Sequence, residues 1–140
     1  MKTLGIDHIV IAVRDIERAA KFFSELFETS FEELEPPDGG ELKTKICSEG
    51  IELISPLTAQ SPVAKFLENK GEGLYGISFR VMNVQEAADD VKRKGVRIIG
   101  KTEKAKLGSS VLNLKELFLH PKDAYGVHIL LTEYDEVKEV

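Results

Sequence analysis

The sequence of 140 residues predicts one α+β domain built from two βαβββ modules. The main observation is an internal repeat, because residues 7–20 can be laid over residues 75–88 with a constant offset of 68. In both copies apolar residues alternate, as they do in a strand, and a run with helical spacing follows. Each copy therefore begins with a strand that leads into a helix. The two copies account for nearly the whole chain, which leaves no second domain.

The two repeated helices carry matching start signals. Asp15 and Asn83 are predicted N-caps, since a short side-chain oxygen can accept from the unpaired N–H groups of the first helical turn. Gly95 is placed to end the second helix. The apolar faces of the two helices consist of Ile16, Ala19, Ala20, Phe23, Leu26 and Phe27 in the first and of Val84, Ala87, Ala88 and Val91 in the second.

The remaining strands follow from turn residues and apolar runs. In the first copy, a turn over residues 36–40 is predicted to separate a short strand from a hairpin. In the second copy, a loop is predicted from Gly100 to about Ser110. The predicted strands after the helices are residues 31–34, 42–47 and 51–54 in the first copy and residues 96–99, 117–119 and 127–131 in the second.

The organisation of the chain is predicted as one domain over residues 1–140. The first module covers about residues 4–56 and the second about residues 74–134. Between them, Ser61 and Pro62 start a connecting helix that Gly71 ends, at about residues 61–71.

Composition and charge exclude several classes of protein. Hydrophobic residues make up 42% and charged residues 31%, which is typical of a globular chain. The net charge is −5 and no block of Lys and Arg is present, so we expect no nucleic-acid partner. Apolar runs are far shorter than the ~20 residues of a membrane span, so no membrane partner is expected. The N-terminal residues lack the features of a secretory signal, and we expect a cytoplasmic location.

Several motifs resemble those of a known superfamily, over essentially the whole chain. The opening Ile-Asp-His-Ile-Val-Ile-Ala-Val of residues 6–13 is similar to the usual start of vicinal oxygen chelate proteins, which include glyoxalase I, bleomycin-resistance proteins, extradiol dioxygenases and methylmalonyl-CoA epimerases. The epimerase branch is the most similar. The motifs that carry this resemblance are Ile-Glu-Leu-Ile-Ser-Pro, Ser-Pro-Val-Ala-Lys-Phe-Leu, Gly-Glu-Gly-Leu and Phe-Leu-His-Pro-Lys, at residues 51–56, 61–67, 71–74 and 118–122.

The resemblance implies a fold, a cofactor and a class of reaction. The two modules would form a cupped mixed sheet around a divalent metal ion such as Co, Mn, Ni or Zn. Four inward-facing residues would bind the ion, which polarises a substrate carbonyl while carboxylates move a proton. A Lewis acid of this kind stabilises the enolate that forms when a C–H next to a thioester loses its proton. The resemblance also implies a homodimer and a small-molecule substrate, such as an acyl-CoA.

The metal ligands of the family carry over to this sequence only in part. His8 matches the histidine of the first strand, and Glu52 matches the Gln or Glu of the fourth. The positions of the other two ligands hold Gly76 and Leu130. Because a catalytic metal site usually has at least three protein ligands, an ordinary metal site is not predicted. His8 and Glu52 are nevertheless the candidate metal ligands and the candidate catalytic residues. The alternative for His8 is a structural histidine at the start of a strand.

Three further residues are candidates for binding a substrate. His128 shares a strand face with Leu130, so it lines the cup or, by a less favoured interpretation, replaces the missing ligand. Ser78 and Arg80 share a face with Gly76. An Arg80 side chain that turned inward could bind a substrate carboxylate, although such a residue more often lies outside or pairs with an acid.

Two functions from different classes remain open at this point. The first is an isomerase or lyase similar to methylmalonyl-CoA epimerase or glyoxalase, which acts at the carbon next to a carbonyl with a degenerate metal site. The alternative is a metal-free small-molecule-binding protein of the same fold, as in bleomycin resistance. Gly76 and Leu130 favour the alternative, since they make the cup roomier and drier. A structural or interaction module is the third possibility. Whether the chain is an enzyme is therefore not decided by its sequence.

Overall fold

The part of the chain that the structure describes forms eight strands and three α-helices, in the order expected for two βαβββ modules. A computed structural model describes residues 1–35, 40–107 and 110–135, without the side chains of residues 104–112. The first module has β1 (Ile6–Ala12), α1 (Ile16–Phe27), β2 (Phe31–Glu35), β3 (Leu42–Cys47) and β4 (Ile51–Pro56). The connecting helix is α2 (Pro62–Lys70), and the second module has β5 (Gly73–Arg80), α3 (Val84–Arg93), β6 (Ile98–Leu107), β7 (Ser110–Leu119) and β8 (His128–Tyr134).

The strands make one mixed sheet that closes on itself. Their order is β1-β4-β3-β2-β6-β7-β8-β5, and β5 pairs with β1 to complete the ring. β1 pairs in parallel with β4, and β5 pairs in parallel with β8. The same parallel pairing therefore occurs once in each module, as the repeat predicts. The α+β fold class and the cupped mixed sheet are confirmed.

The start signals of the helices act as predicted. The Asp15 side chain accepts a hydrogen bond from the backbone N–H of Arg18, and that of Asn83 accepts from Glu86. Ser61 caps α2 in the same way through the N–H of Val63. These contacts fix where each helix begins. The predicted turn at residues 36–40 lies outside the described residues, apart from Gly40.

The apolar face predicted for α1 is partly wrong. Ile16 and Ala20 are buried, but Leu26 and Phe27 are 57% and 51% exposed. The apolar cluster that α1 forms with the sheet reaches only as far as Phe23. The helical spacing was therefore predicted correctly, but the part of the sheet that α1 covers is shorter than the apolar face of the helix.

The loop predicted from Gly100 to about Ser110 is also wrong. β6 continues to Leu107 and β7 begins at Ser110, so this segment is part of a long antiparallel hairpin. The inward positions of this segment hold Gly100 and Thr102, which line the larger cavity, so the apolar alternation of a half-buried strand is absent. Backbone hydrogen bonds to β7, and to β2 at the far end of β6, form the strand without that alternation.

Two helices, α1 and α3, cover the outer face of the sheet, whereas α2 packs against inward-facing side chains. α1 packs with β1 and β4 around Leu53, and α2 packs around Val63 against the opposite face of the same two strands, where Val10 and Ile54 lie. α3 packs against β5, β7 and β8 around Leu117 and Leu131. None of the described helices has the length and apolar character needed to cross a membrane. Because α1 and α3 bury the outer face and α2 covers only part of the inner one, the rest of the concave face is available for a site.

Candidate active site

Two adjoining cavities lie on the concave side of the sheet. The smaller has a volume of about 360 Å³ and the larger about 560 Å³. The walls of both include Leu34, Glu52 and Glu116. The other polar side chains of the smaller cavity include Asp7, His8, Glu32 and Tyr134, whereas the larger is lined mainly by apolar and aromatic residues such as Val10, Ile54, Tyr75, Phe118 and Leu130. The two glutamates therefore stand where a polar compartment meets an apolar one.

His8 is held in a hydrogen-bonded chain at the floor of the smaller cavity. Its Nδ1 lies 2.7 Å from Oδ2 of Asp7, and the Tyr134 hydroxyl donates to the same oxygen at 2.5 Å. These residues come from opposite ends of the chain, on β1 and β8. A carboxylate that accepts from Nδ1 fixes the orientation of the ring and directs Nε2 away from Asp7.

The charges around His8 favour its imidazolium form. Burial opposes the charge, but the hydrogen bond to Asp7 and the nearby Glu52 carboxylate raise the pKa of His8 to about 10. Burial also raises the pKa of Asp7, but its bonds with His8 and Tyr134 more than reverse this, and the net shift is downward. Burial and the bond to Asp7 raise the pKa of the Tyr134 hydroxyl. At neutral pH these three hydrogen-bonded residues are therefore a cationic His8 ring, an ionised Asp7 carboxylate and a neutral Tyr134 phenol.

The second ring nitrogen of His8 points towards Glu52. Nε2 lies 3.3 Å from Oε2 of Glu52, within ion-pair range. It is nevertheless buried without a hydrogen-bond partner of suitable geometry in the described part of the chain. Both side chains face inward because Glu52 on β4 pairs with Val10 on β1, two residues beyond His8. A buried N–H donor without a partner is costly, and an acceptor on a bound molecule would satisfy it.

Glu116 is a second carboxylate at this site that the sequence analysis missed. Thr132 Oγ1 donates to its Oε2 at 3.2 Å, and Thr132 Oγ1 lies 2.7 Å from Ser78 Oγ. Burial and the negative charge of Glu52 raise the pKa of Glu116 to about 7, against the opposing effect of the His8 charge. A signal was present, because Glu116 shares a strand face with Leu114 and Phe118, where a carboxylate is out of place. Asp7 and Tyr134 were also missed, and no local pattern joins them.

The structure places some of the predicted site residues in the cavity walls and others outside them. His8 and Glu52 are brought together, and His128 lines the larger cavity with its ring stacked on Tyr75 at 4.0 Å. Ser78 is fully buried behind Thr132. Arg80 is exposed and lies outside both cavity walls, with its guanidinium carbon 5.3 Å from the centre of the Tyr134 ring.

The residues present do not fit the four-ligand metal site that the resemblance implies. A Cβ atom built at Gly76 would lie 2.3 Å from the carbonyl oxygen of His128, so no side chain can be added there without moving backbone. Leu130 is buried in the wall of the larger cavity. In residues 1–35, 40–107 and 110–135, no group of three or more His, Cys, Asp and Glu side chains is arranged to hold a metal ion. Of the four ligand positions of the family, this chain therefore keeps a metal-binding residue type at only two, His8 and Glu52.

The geometry suits proton transfer next to a group that becomes negative. A cationic N–H donor in a buried site stabilises a developing oxyanion. Two carboxylates in different surroundings can hold a proton to different extents, which is the usual basis for separate acid and base roles. Both features occur here within one pair of adjoining cavities.

The fold and site agree with the family that the sequence indicates. The chain belongs to the Glyoxalase/Bleomycin resistance protein/Dioxygenase superfamily, whose sequence model matches residues 7–112. Its relatives include the mitochondrial methylmalonyl-CoA epimerase of Homo sapiens, which is 34% identical over 91% of this chain and 73% of the relative. The ethylmalonyl-CoA/methylmalonyl-CoA epimerase of Cereibacter sphaeroides is also 34% identical, over 91% of this chain and 96% of the relative.

A solved structure supports the same placement. The methylmalonyl-CoA epimerase of Streptomyces coelicolor, in complex with 2-nitronate-propionyl-CoA, superimposes with a TM-score of 0.79. The two sequences are 28% identical, and the match covers 96% of this chain and 100% of the Streptomyces chain. The vicinal oxygen chelate fold and the similarity to methylmalonyl-CoA epimerases are therefore confirmed.

Proposed function

We propose that this protein is an epimerase-like isomerase that acts on an acyl thioester at the carbon next to its carbonyl. The observation that carries the proposal is the buried Nε2 of His8, a donor that has no hydrogen-bond partner among the described residues and lies 3.3 Å from the Glu52 carboxylate. The family relationship supports the reaction class, because the relatives described above are acyl-CoA epimerases. A glyoxalase-related isomerase or lyase reaction would use the same enolate chemistry.

In the proposed reaction, Glu52 is the base and His8 is the oxyanion donor. The Glu52 carboxylate takes the proton from the carbon next to the carbonyl, and the electron pair of that C–H bond moves into an enolate. The thioester oxygen, which gains negative charge, accepts from His8 Nε2–H. Asp7 keeps the ring oriented and charged through Nδ1. Because the residues do not fit the family's metal site, these steps use side chains of the chain alone.

The other candidate residues have supporting roles in this proposal. His128 and Tyr75 form one wall of the larger cavity, where the acyl group would pack. Ser78 supports Thr132 from behind. Arg80 would bind a substrate carboxylate only at the rim, after leaving the Tyr134 ring.

The test of this function is proton exchange with solvent. Methylmalonyl-CoA in deuterated water should exchange its α-hydrogen faster with the protein than without it. His8→Asn should lower the rate by ~100-fold or more for either enantiomer, the usual contribution of an oxyanion donor, and Glu52→Gln should do so for the enantiomer whose α-proton Glu52 takes. Glu33→Gln is the matched control, because Glu33 is an exposed glutamate outside both cavity walls. A wild-type rate equal to the background rate would contradict the proposal.

A metal-free binding protein is the second candidate, and the larger cavity favours it. Its volume of about 560 Å³ and its apolar walls suit a small amphipathic ligand. Calorimetry with an acyl-CoA after treatment with a chelator separates the two functions. Binding with no exchange would support sequestration, whereas binding with exchange would support the isomerase.

We also propose, from the family resemblance, that the protein forms a homodimer in the cytoplasm. Exposed apolar side chains at the end of α1, such as Phe22, Leu26 and Phe27, are compatible with a contact between copies. Sedimentation that gives a monomer at micromolar concentration would contradict the dimer.

A further inference from the structure

We propose that Glu116 is a second catalytic residue, which transfers a proton on the face of the substrate carbon opposite Glu52. This inference rests on the proposed function, since it assigns a role within the same reaction. It concerns a residue outside the ligand positions that the family resemblance identified. Four observations carry it, namely the position of Glu116 in the ring, the cavities it lines, its hydrogen bonds and its surroundings.

The topology places the two glutamates on facing walls. Glu52 lies on β4 and Glu116 on β7, and in the closed order three strands separate β4 from β7 in either direction. Both side chains face inward, because each lines both cavities. A planar enolate held between them would present one face to each carboxyl group. Inversion at a carbon requires a proton to leave one face and another to arrive at the opposite face, and this arrangement supplies a group for each.

The hydrogen bonds of Glu116 suit a group that changes protonation state. Its Oε2 contacts the Thr132 hydroxyl at 3.2 Å, and that hydroxyl contacts Ser78 at 2.7 Å. Hydroxyl groups can donate or accept, so this pair can serve both the carboxylate and the carboxylic acid. A lysine or arginine partner would instead hold Glu116 in the ionised form. The described residues place no such partner within salt-bridge distance of Glu116.

The surroundings of Glu116 make both states accessible. Burial and the charge of Glu52 raise its pKa to about 7, so the acid and the carboxylate coexist near neutral pH. Glu52 faces the His8 imidazolium, whereas Glu116 faces hydroxyl groups. The two carboxyl groups therefore differ in the way that separate base and acid roles require.

The reaction balances without any further reagent. Glu52 takes the α-proton of one enantiomer, and the electron pair of the C–H bond forms the enolate. Protonated Glu116 then gives its proton to the opposite face of the same carbon. A new C–H bond forms, and Glu52 is left protonated and Glu116 ionised. Exchange of these two protons with water restores the starting state, and the other enantiomer reacts by the same steps in reverse order.

The experiment uses each enantiomer of methylmalonyl-CoA separately in deuterated water, with full-length protein. Glu116→Gln should lower the rate of inversion by ~100-fold or more for both enantiomers. It should still allow deuterium exchange with retention for the enantiomer that Glu52 deprotonates, and abolish exchange for the other. Glu52→Gln should give the complementary pattern. Glu103→Gln, a change at an exposed glutamate of β6, is the control that should behave as wild type.

Several results would overturn the inference. Inversion by Glu116→Gln at the wild-type rate would do so, as would loss of exchange by both variants with the same enantiomer. If Glu116→Gln does not fold, as judged by circular dichroism, Glu116→Asp replaces it in the experiment, because aspartate keeps a carboxyl group on a shorter side chain. That variant should then exchange both enantiomers more slowly than wild type, and an unchanged rate would contradict the role. Absence of exchange in the wild type would overturn the proposed function, and this inference with it.

Discussion

The backbone of His128 occupies the space that a side chain at Gly76 would need. The two residues are partners in the parallel pair of β5 and β8, and a Cβ at Gly76 would meet the His128 carbonyl oxygen at 2.3 Å. The same His128 presents its ring to Tyr75, which immediately precedes Gly76. The absence of a ligand at position 76 is therefore built into the strand pairing, and a single substitution does not reverse it.

The first prediction concerns this contact. Gly76→Ala should lower the free energy of unfolding by about 1–3 kcal/mol, because an overpacked methyl group forces the backbone apart. Gly76→His should destabilise the protein further and should not create a metal site. Gly100→Ala is the matched control, since its Cβ would meet Phe118 at an ordinary 3.5 Å. Urea denaturation measures all three variants, and a stable Gly76→His protein that binds cobalt tightly would contradict the prediction.

The second prediction concerns the charge on His8. Asp7→Asn should lower the pKa of His8 from about 10, because it removes the hydrogen-bonded carboxylate. A histidine pKa raised above its usual 6.5 stabilises the fold fully below pH 6.5, and this contribution is lost as the pH rises towards 10. The variant should therefore lose about 2 kcal/mol at pH 6 and less at pH 10.

Nuclear magnetic resonance of the imidazole ring measures this pKa directly, and urea denaturation at the two pH values measures the stability. Tyr134→Phe serves as a comparison, since it removes a donor to Asp7 but leaves the Asp7 carboxylate beside His8. A wild-type His8 that titrates near its usual value would show that the ring is not held as an imidazolium.

The third prediction concerns the stability cost of Glu116. Its pKa is raised to about 7, so the folded state holds a proton that the unfolded chain releases above its ordinary value of 4.5. The favourable contribution of the protonated acid is present below pH 4.5 and is lost as the pH rises through 7. Glu116→Gln should therefore gain stability relative to wild type between pH 5 and pH 8, by about 1–3 kcal/mol. Denaturation at the two pH values tests this, and a constant difference would contradict it.

The fourth prediction concerns the hydroxyl pair behind Glu116. Thr132→Val should raise the pKa of Glu116 above about 7, because the Thr132 hydroxyl favours the carboxylate form. Ser78→Ala removes the next hydroxyl along and should have a smaller effect. Carbon-13 spectra of the carboxyl groups report the pKa in each variant. A lower Glu116 pKa in Thr132→Val would show that Thr132 does not donate to the carboxylate.

The sequence predicted those parts of the fold that depend on neighbours along the chain. Asp15 and Asn83 could be identified as N-caps because capping involves residues two or three positions away. The hairpin of β6 and β7 was missed because the inward residues Gly100 and Thr102 are not apolar, so the strand lacks the usual alternation. The exposure of Phe27 could not be foreseen either, since it depends on where the sheet beneath α1 ends.

The residues of the candidate site likewise fall into those that the sequence predicted and those that only the tertiary structure revealed. His8 and Glu52 were found through motifs that each lie within one strand, together with a family resemblance. Glu116, Thr132 and Tyr134 belong to β7 and β8, which reach the first module only when the ring of strands closes. A sequence pattern fixes which side of a strand a residue occupies, because side chains alternate along the backbone. Which strands stand next to each other, and thus which charges shift each other's pKa, is decided by long-range pairing that no local pattern encodes.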